Sequence, residues 1–342
     1  MPLLLAGRRV FDSTLPPALK AVGLLCFLHL FQLGAIPRPS DTQGLTNRHT
    51  LVVEANKLSD AHEFVDALRL YGRAAQLARE AHDPSLEAMA DFSSGACLIH
   101  LFRYRQAISW LNTAREIALR IDNKSIAGGA DLNTTTVYLQ LGEFLLAQKT
   151  AQEATRLLED SPRKDAYAMA LMNLARVEAE RDDLDRARSF YNQAISVAEA
   201  NNLFPKEASA WSHLGQSLLV KDELAESRRA FTEAYRLYLM QHNEAELAVV
   251  RADLALLDYK EGRYNEALVK LNAALASPPS ALASIPPYFL LHLHGQIYAA
   301  LHRDPEALAY FQKAVDAADE WRGNALPGDL FSVSTVAYLH DV

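Results

Sequence analysis

The feature that most constrains this chain is an alanine that recurs every forty residues. It fills seven successive positions without exception: Ala74, Ala114, Ala154, Ala194, Ala234, Ala274 and Ala314. A second small column stands seven residues earlier in each unit, running from Ala67 to Ala307. A period of this kind is the sequence signature of stacked, structurally equivalent units, so we expect seven of them in register.

Two further columns indicate that each unit is a helical hairpin. One is small throughout, with Ala55, Gly95, Thr135, Ala175, Gly215, Ala255 and Gly295; the other is large or apolar except at Ala151, with Tyr71, Leu111, Tyr191, Phe231, Leu271 and Phe311. Small residues suit the place where two helices approach closely, and large apolar residues fill the gaps beside them. Around Gly215 the pattern predicts a first helix over residues 208–220, a polar turn at 221–223 and a second helix over 224–240.

The columns of the fifth and seventh units resemble the tetratricopeptide repeat. They do so through Trp211, Leu214, Gly215, Leu218, Ser227, Phe231 and Ala234, and through Leu291, Gly295, Tyr298, Ala307, Phe311 and Ala314. The period of forty exceeds the usual length of about 34, and we expect the extra residues to lengthen the second helix and the connection to the next unit. HEAT and armadillo arrays have comparable periods, but the small, small, aromatic, small spacing is that of the tetratricopeptide repeat.

The resemblance implies an all-α fold, a right-handed superhelical solenoid of seven hairpins over residues 47–327. Residues 328–342 would then form a capping helix or a truncated eighth repeat. Within the array, the segment 277–287 carries four prolines, so we expect it to shorten the second helix of the sixth unit and to form the most mobile joint.

Residues 1–46 lie outside the repeat pattern and are typical of an export signal. Arg8, Arg9 and Lys20 precede an apolar run over residues 21–36, which is shorter than the roughly 20 residues needed to span a membrane. We therefore expect a bacterial signal peptide and an exported array, periplasmic or extracellular. A membrane tether through residues 15–36 and a cytoplasmic N-terminus are the alternatives.

Charge and motifs argue against nucleic-acid binding and catalysis. The net charge is −8, with 34 basic and 42 acidic residues that are dispersed along the chain, which disfavours a phosphate backbone as main partner. The sequence has no glycine-rich phosphate loop, HExxH, paired CxxC or GxSxG motif. His292 and His294 stand two residues apart on a predicted helix and would point about 200° apart, so they cannot chelate one metal together. We expect no enzyme activity, cofactor or metal site.

The resemblance also implies that ligands bind on the concave face, which the first helices line. Transferred residue by residue, it assigns the ligand groove to Asn56, Phe92, His100, Asn133, Gln140, Met172, Asn173, Arg176, Gln216, Tyr259 and Gln296. The amides and Arg176 would hold a peptide backbone, and Phe92, Met172 and Tyr259 would accept side chains. The expected partner is a protein or peptide, bound by a scaffold. One alternative is the recognition part of a larger CHAT-type peptidase, because this long-period array resembles those that precede CHAT peptidase domains. The other is the sensory array of a regulator.

Overall fold

The computed structural model of the chain describes residues 48–282, residue 285 and residues 287–324. These residues form fourteen α-helices and one short 3-10 turn, and they contain no β-strand. The helices, in chain order, are α1 Arg48–Asp60, α2 Phe64–Glu80, α3 Pro84–His100, α4 Tyr104–Arg120, α5 Lys124–Gln140, α6 Phe144–Leu158, α7 Lys164–Glu180, α8 Leu184–Ala200, α9 Phe204–Val220, α10 Leu224–Met240, α11 Glu244–Lys260, α12 Tyr264–Leu275, α13 Pro287–Ala300 and α14 Asp304–Asn324.

Each odd-numbered helix and the helix after it form one hairpin, and each hairpin packs on the next. The predicted all-α solenoid of seven hairpins is thereby confirmed. The predicted export signal at residues 1–46 and the predicted C-terminal helix at 328–342 lie outside the described residues.

The repeat of forty residues is a doubled repeat of twenty. Most of the helices contain 17 residues and are joined by turns of three, in which the middle residue has a positive φ. Two backbone bonds close each of these turns; after α3, for example, Arg103 donates to the carbonyl of Leu98 at 2.8 Å and Phe102 donates to that of Ile99 at 2.9 Å. Such left-handed caps satisfy the last carbonyls of a helix, and Gly, Asn and Asp tolerate the conformation best. The positive-φ residues are His62, His82, Phe102, Asp122, Gly142, Asp182, Asn202, Asp222, His242, Gly262 and His302.

Proline interrupts this regular spacing at one turn. Pro162 stands where the twenty-residue spacing requires a positive φ, which its ring forbids. Helix α6 therefore ends at Leu158 after 15 residues, and a longer connection leads to α7 at Lys164.

The first helices are longer than expected. Around Gly215 the second helix, Leu224–Met240, is as predicted, but the first begins at Phe204 and not near residue 208. Pro205 lies in the first turn of α9, where a missing backbone N–H removes no helical hydrogen bond. The expectation that the extra residues lengthen the connection was wrong, because the connection is only three residues long and the first helix takes an additional turn.

The two helices of each hairpin meet along a seam of complementary sizes. A Cβ added to Gly215 would lie 2.7 Å from the ring of Phe231, so the glycine makes room for that ring. In the third hairpin the sizes are reversed, since Thr135 takes the small position and Ala151 the large one. The alanines of the forty-residue column are all buried, at 0 to 1% exposure.

The sixth hairpin departs from the common form. Its second helix, α12, has only 12 residues, as the prolines that follow it predicted. The 3-10 turn Pro279–Leu282 packs against α11 and buries Leu282 there, while α12 contacts α13 less extensively than other second helices contact the following hairpin. That this joint is the most mobile in the array stays a prediction.

Candidate functional site

The first helices form one continuous surface, which we call the inner face. It belongs to α1, α3, α5, α7, α9, α11 and α13, and consecutive members of this row contact one another. The second helices make no comparable contact with one another in the described part of the chain. Rows of helices that converge on one side curve toward that side. The first helices therefore line the inside of the curve.

Polar side chains cross from one first helix to the next at the centre of the inner face. The Asn173 amide on α7 donates to the Thr136 hydroxyl on α5 at 3.2 Å, and the Gln216 amide on α9 donates to the Asp253 carboxyl on α11 at 3.0 Å. A third pair lies between these two, at the contact of α7 with α9. Its members are Arg176, forty residues after Thr136, and His213, forty residues after Asn173. These six residues, Thr136, Asn173, Arg176, His213, Gln216 and Asp253, are the polar ladder of the inner face.

Burial sets the protonation of two groups in the polar ladder. It lowers the pKa of His213 to about 4, with the nearby Arg176 guanidinium acting in the same direction and the Ser209 carbonyl opposing it. It raises the pKa of Asp253 to about 7, against the hydrogen bond from Gln216 and with the help of the Glu246 charge. His213 is therefore neutral at pH 7, and Asp253 is close to half protonated.

Arg176 is the cation of the polar ladder, and it lacks a carboxylate partner. It is half-buried, and every described carboxylate lies beyond ion-pair distance of it. The other half-buried arginines all lie within 3.6 Å of a carboxylate oxygen. They are Arg48, Arg115, Arg188, Arg228, Arg251 and Arg263. The chain thus pairs its partly desolvated guanidinium groups and leaves one unpaired on the inner face.

Three other predicted groove residues are engaged within the fold. Asn56 accepts a hydrogen bond from the Tyr71 hydroxyl at 2.5 Å, which occupies its amide oxygen. The exposed His100 stacks on Phe64, with ring centroids 4.3 Å apart. Met172 is only 6% exposed and packs in the core beneath the inner face, so its side chain does not reach a ligand without rearrangement.

The remaining predicted residues are available at the surface to different degrees. Phe92 is half-buried beside Gly129 of α5, and Tyr259 is half-buried with its ring centroid 5.9 Å from that of Tyr264. Asn133 and Gln296 are half-buried and Gln140 is exposed. Within the described residues, no side-chain partner occupies the amides of these last three. The structure gathers Asn173, Arg176 and Gln216 into the polar ladder and distributes the others along the inner face.

Three polar-ladder residues, Thr136, His213 and Asp253, were not among the residues assigned to the groove above. His213 and Asp253 follow Asn173 by forty and eighty residues, and Thr136 precedes Arg176 by forty, so each shares a repeat column with an assigned residue. The repeat column itself was the signal that would have identified them. The partner of each could not be found from one unit alone, because it lies in the neighbouring hairpin.

The described residues contain no group of three or more His, Cys, Asp or Glu side chains placed to hold a metal ion. Of the predicted non-chelating pair, His294 is buried and contacts the Asn272 amide oxygen through Nε2 at 3.0 Å, and the His292 ring lies 5.5 Å from that of Phe311. None of the helices in this part of the chain combines the length and the apolar character needed to cross a bilayer.

Comparison with known proteins supports the repeat assignment. The family model described as tetratricopeptide repeat matches residues 134–200, which include α6, α7 and α8. Tetratricopeptide repeat protein 29 of Homo sapiens is 22% identical over 211 residues, a region that covers 62% of this chain and 41% of that protein. The match therefore spans less than half the length of this curated relative.

Solved structures with the same architecture resemble the chain over most of its length. The apo form of RapI aligns with a TM-score of 0.63 at 12% identity, covering 81% of this chain and 99% of that chain. A Rap protein complexed with competence and sporulation factor aligns with a TM-score of 0.62 at 13% identity, covering 82% and 77% of the two chains. A STAND protein of Pyrococcus horikoshii with a tetratricopeptide repeat sensor gives a TM-score of 0.65 at 13% identity, covering 82% and 44%. At these identities the likeness concerns the fold alone.

Proposed function

Because the seven hairpins have the fold of tetratricopeptide repeat arrays, we propose that this chain is a non-enzymatic scaffold that binds a segment of another protein on its inner face. The polar ladder carries this proposal. Its side chains can both donate and accept hydrogen bonds along a line that crosses four first helices, from α5 to α11. An extended polypeptide presents donors and acceptors in a row, and its backbone matches such a line.

Apolar groups beside the polar ladder complement this binding mode. Phe92 and Tyr259 are half-buried on the inner face, toward the two ends of the polar ladder. Aromatic residues that present one apolar face are enriched in protein interfaces and accept side chains of a partner. A helical segment would use these aromatic positions more than the polar ladder, whereas an extended segment would use both. The Rap protein complexed with competence and sporulation factor is an array of similar fold with a bound partner.

The experiment is affinity capture with the full chain and two variants that lose the same number of amides. Asn173→Leu with Gln216→Leu removes two amides from the inner face, and Asn192→Leu with Gln193→Leu removes two exposed amides from α8. We expect proteins retained by the wild type and by the α8 variant to be lost from the inner-face variant, with helicity unchanged in all three by circular dichroism. Identical capture by both variants would contradict binding on the inner face.

A second function, the sensory array of a regulator, is favoured by the likeness to the STAND protein with a tetratricopeptide repeat sensor. A sensor must change when its ligand binds, whereas a scaffold need not. Hydrogen exchange of the full chain with and without a captured partner separates the two. Slowed exchange confined to α5 to α11 supports a scaffold, and altered exchange that extends to α1 and α14 supports a sensor.

The proposed site of action is outside the bacterial cytoplasm. The proposal depends on Arg8, Arg9 and Lys20, which precede the apolar run over residues 21–36. Fractionation of cells that express the chain with a C-terminal tag, followed by N-terminal sequencing, tests it. We expect a processed chain in the exported fraction, and an intact chain confined to the cytoplasm would contradict it.

A further inference from the structure

We propose that the inner face selects segments that carry a carboxylate side chain, and that Arg176 binds this carboxylate between α7 and α9. The inference rests on the proposed function and names the class of ligand that the same surface takes. It depends on the carboxylate partners of the other half-buried arginines and on the contact between Gln216 and Asp253 in the neighbouring pair of the polar ladder.

The first argument is the missing partner of Arg176. A guanidinium that is partly removed from water loses hydration, and this loss is ordinarily offset by a carboxylate that accepts its hydrogen bonds. Each of the other half-buried arginines has a carboxylate oxygen within 3.6 Å. In four of the six the carboxylate accepts a hydrogen bond from the guanidinium, namely for Arg48, Arg115, Arg228 and Arg263. Arg176 alone is left to be paired by a group from outside the described chain. Glu180, one helical turn further along α7, does not come within ion-pair distance of it.

The second argument comes from the next pair of the polar ladder. Gln216 is the residue forty positions after Arg176, and it binds the carboxyl of Asp253 at 3.0 Å. A carboxyl group therefore fits against this position of a first helix. Between α7 and α9 the residue that corresponds to Asp253 is His213, which supplies no negative charge. Arg176 thus holds the position at which Gln216 binds a carboxyl in the next pair. The Gln216 pair contains its own carboxyl, from Asp253, whereas the Arg176 pair contains none.

The third argument is the set of groups that face Arg176 across the contact between α7 and its neighbours. Two neighbours of Arg176 are His213, which burial keeps neutral, and the hydroxyl of Tyr191. Against the larger effect of burial, the Arg176 charge lowers the pKa of that hydroxyl. The Thr136–Asn173 pair next along the polar ladder is uncharged. A ligand carboxylate between α7 and α9 would meet the Arg176 charge beside these neutral groups, while the Glu180 carboxylate stands one turn further along α7. Direct contact with the guanidinium favours an acidic side chain over a basic one.

The test measures binding of the full chain to an array of 15-residue peptides in matched sets. The members of each set differ only in whether their acidic positions hold Asp and Glu, the neutral amides Asn and Gln, Lys, or phosphoserine. One charge-assisted hydrogen-bonded pair contributes enough that we expect the Asp and Glu peptides to bind about tenfold to a hundredfold more tightly than their amide counterparts. In Arg176→Ala this preference should disappear while binding of the amide peptides is retained, and Arg176→Lys should keep part of it.

Arg229→Ala is the matched control, because it removes one positive charge from the exposed surface of the second helix α10. It should leave the preference intact, which separates a local contact from the net charge of −8. Equal binding of acidic and amide peptides, an unchanged preference in Arg176→Ala, or binding of phosphoserine peptides without binding of Asp and Glu peptides would each overturn the inference. In these cases the proposed function survives, whereas failure of every peptide to bind the wild type would count against both.

Discussion

Replacement of Asp91 by Asn should make the array more stable at pH 8 but not at pH 4. Asp91 lies on α3 with 1% of its side chain exposed, and neither carboxylate oxygen has a hydrogen-bond partner. Its nearest cation is Arg79, whose Nη2 is 4.0 Å away. Burial raises the pKa of Asp91 from 3.8 to about 7, against the attraction of Arg79 and with the help of the Glu87 charge.

The size and sign of the effect follow from this pKa. A carboxyl with a raised pKa binds its proton more tightly in the folded state, so the free energy of unfolding falls as the pH rises through the interval from about 4 to about 7. Each pKa unit corresponds to 1.36 kcal/mol, which gives a total loss of about 4 kcal/mol above pH 7. Asn has nearly the same shape and no charge, so its buried amide costs the same at every pH.

The assay is guanidinium denaturation of the wild type and Asp91→Asn at intervals from pH 4 to pH 8. The difference in free energy of unfolding, variant minus wild type, should grow by about 4 kcal/mol across this range, most steeply midway between the two pKa values, at about pH 5.4. Asp185→Asn, on the exposed surface of α8, controls for the loss of one negative charge. Parallel profiles for wild type and Asp91→Asn would show that Asp91 is not a destabilising buried charge, and the reasoning would fail.

Three further predictions concern packing, pairing and mobility. Ala234→Leu should overfill a fully buried position and lower the free energy of unfolding by about 1–3 kcal/mol, whereas the exposed Ala225→Leu should not. Equal denaturant midpoints for the two variants would contradict close packing of the two helices at Ala234. Arg115→Ala should remove the donor that lies 2.8 Å from both oxygens of the buried Asp131. The free energy of unfolding should fall by about 3 kcal/mol at pH 8 and by less at pH 5, where the carboxyl can take up a proton; a pH-independent decrease would refute this. Limited proteolysis should cut first within residues 277–286, and a first cut elsewhere in 48–324 would show that this joint is not the weakest.

The sequence was sufficient for the hairpins because the contacts that hold them are local. Gly215 and Phe231 lie in one unit, sixteen positions apart, and both columns can be followed through every repeat. Each hairpin contacts only its neighbours, so one regular pattern describes all of them. The second helix Leu224–Met240 agrees with its prediction for the same reason.

What the sequence did not provide was the relation between units. The predicted first helix began at residue 208 and so missed the start of α9 at Phe204, although proline at position 205 is well tolerated in the first helical turn. The pairing of Gln216 with Asp253 depends on the offset at which α9 and α11 pack, which the forty-residue period does not specify. The unpaired state of Arg176 likewise became visible only when the surroundings of every arginine could be compared.

The size complementarity of the seams has a consequence for how such an array can change over time. Two combinations of side chains fill the space between the paired helices: Thr135 with Ala151, and Gly215 with Phe231. In each combination both residues belong to the same hairpin, so each is one solution that a hairpin carries whole. A recombination event that exchanged whole hairpins would carry both halves of a solution together. One that joined the first helix of the third hairpin to the second helix of the fifth would place Thr135 against Phe231 in a space sized for glycine. The pair of helices is thus the unit that recombination can exchange without disturbing the packing inside a hairpin. Breakpoints in the connections that precede the first helices preserve that packing best.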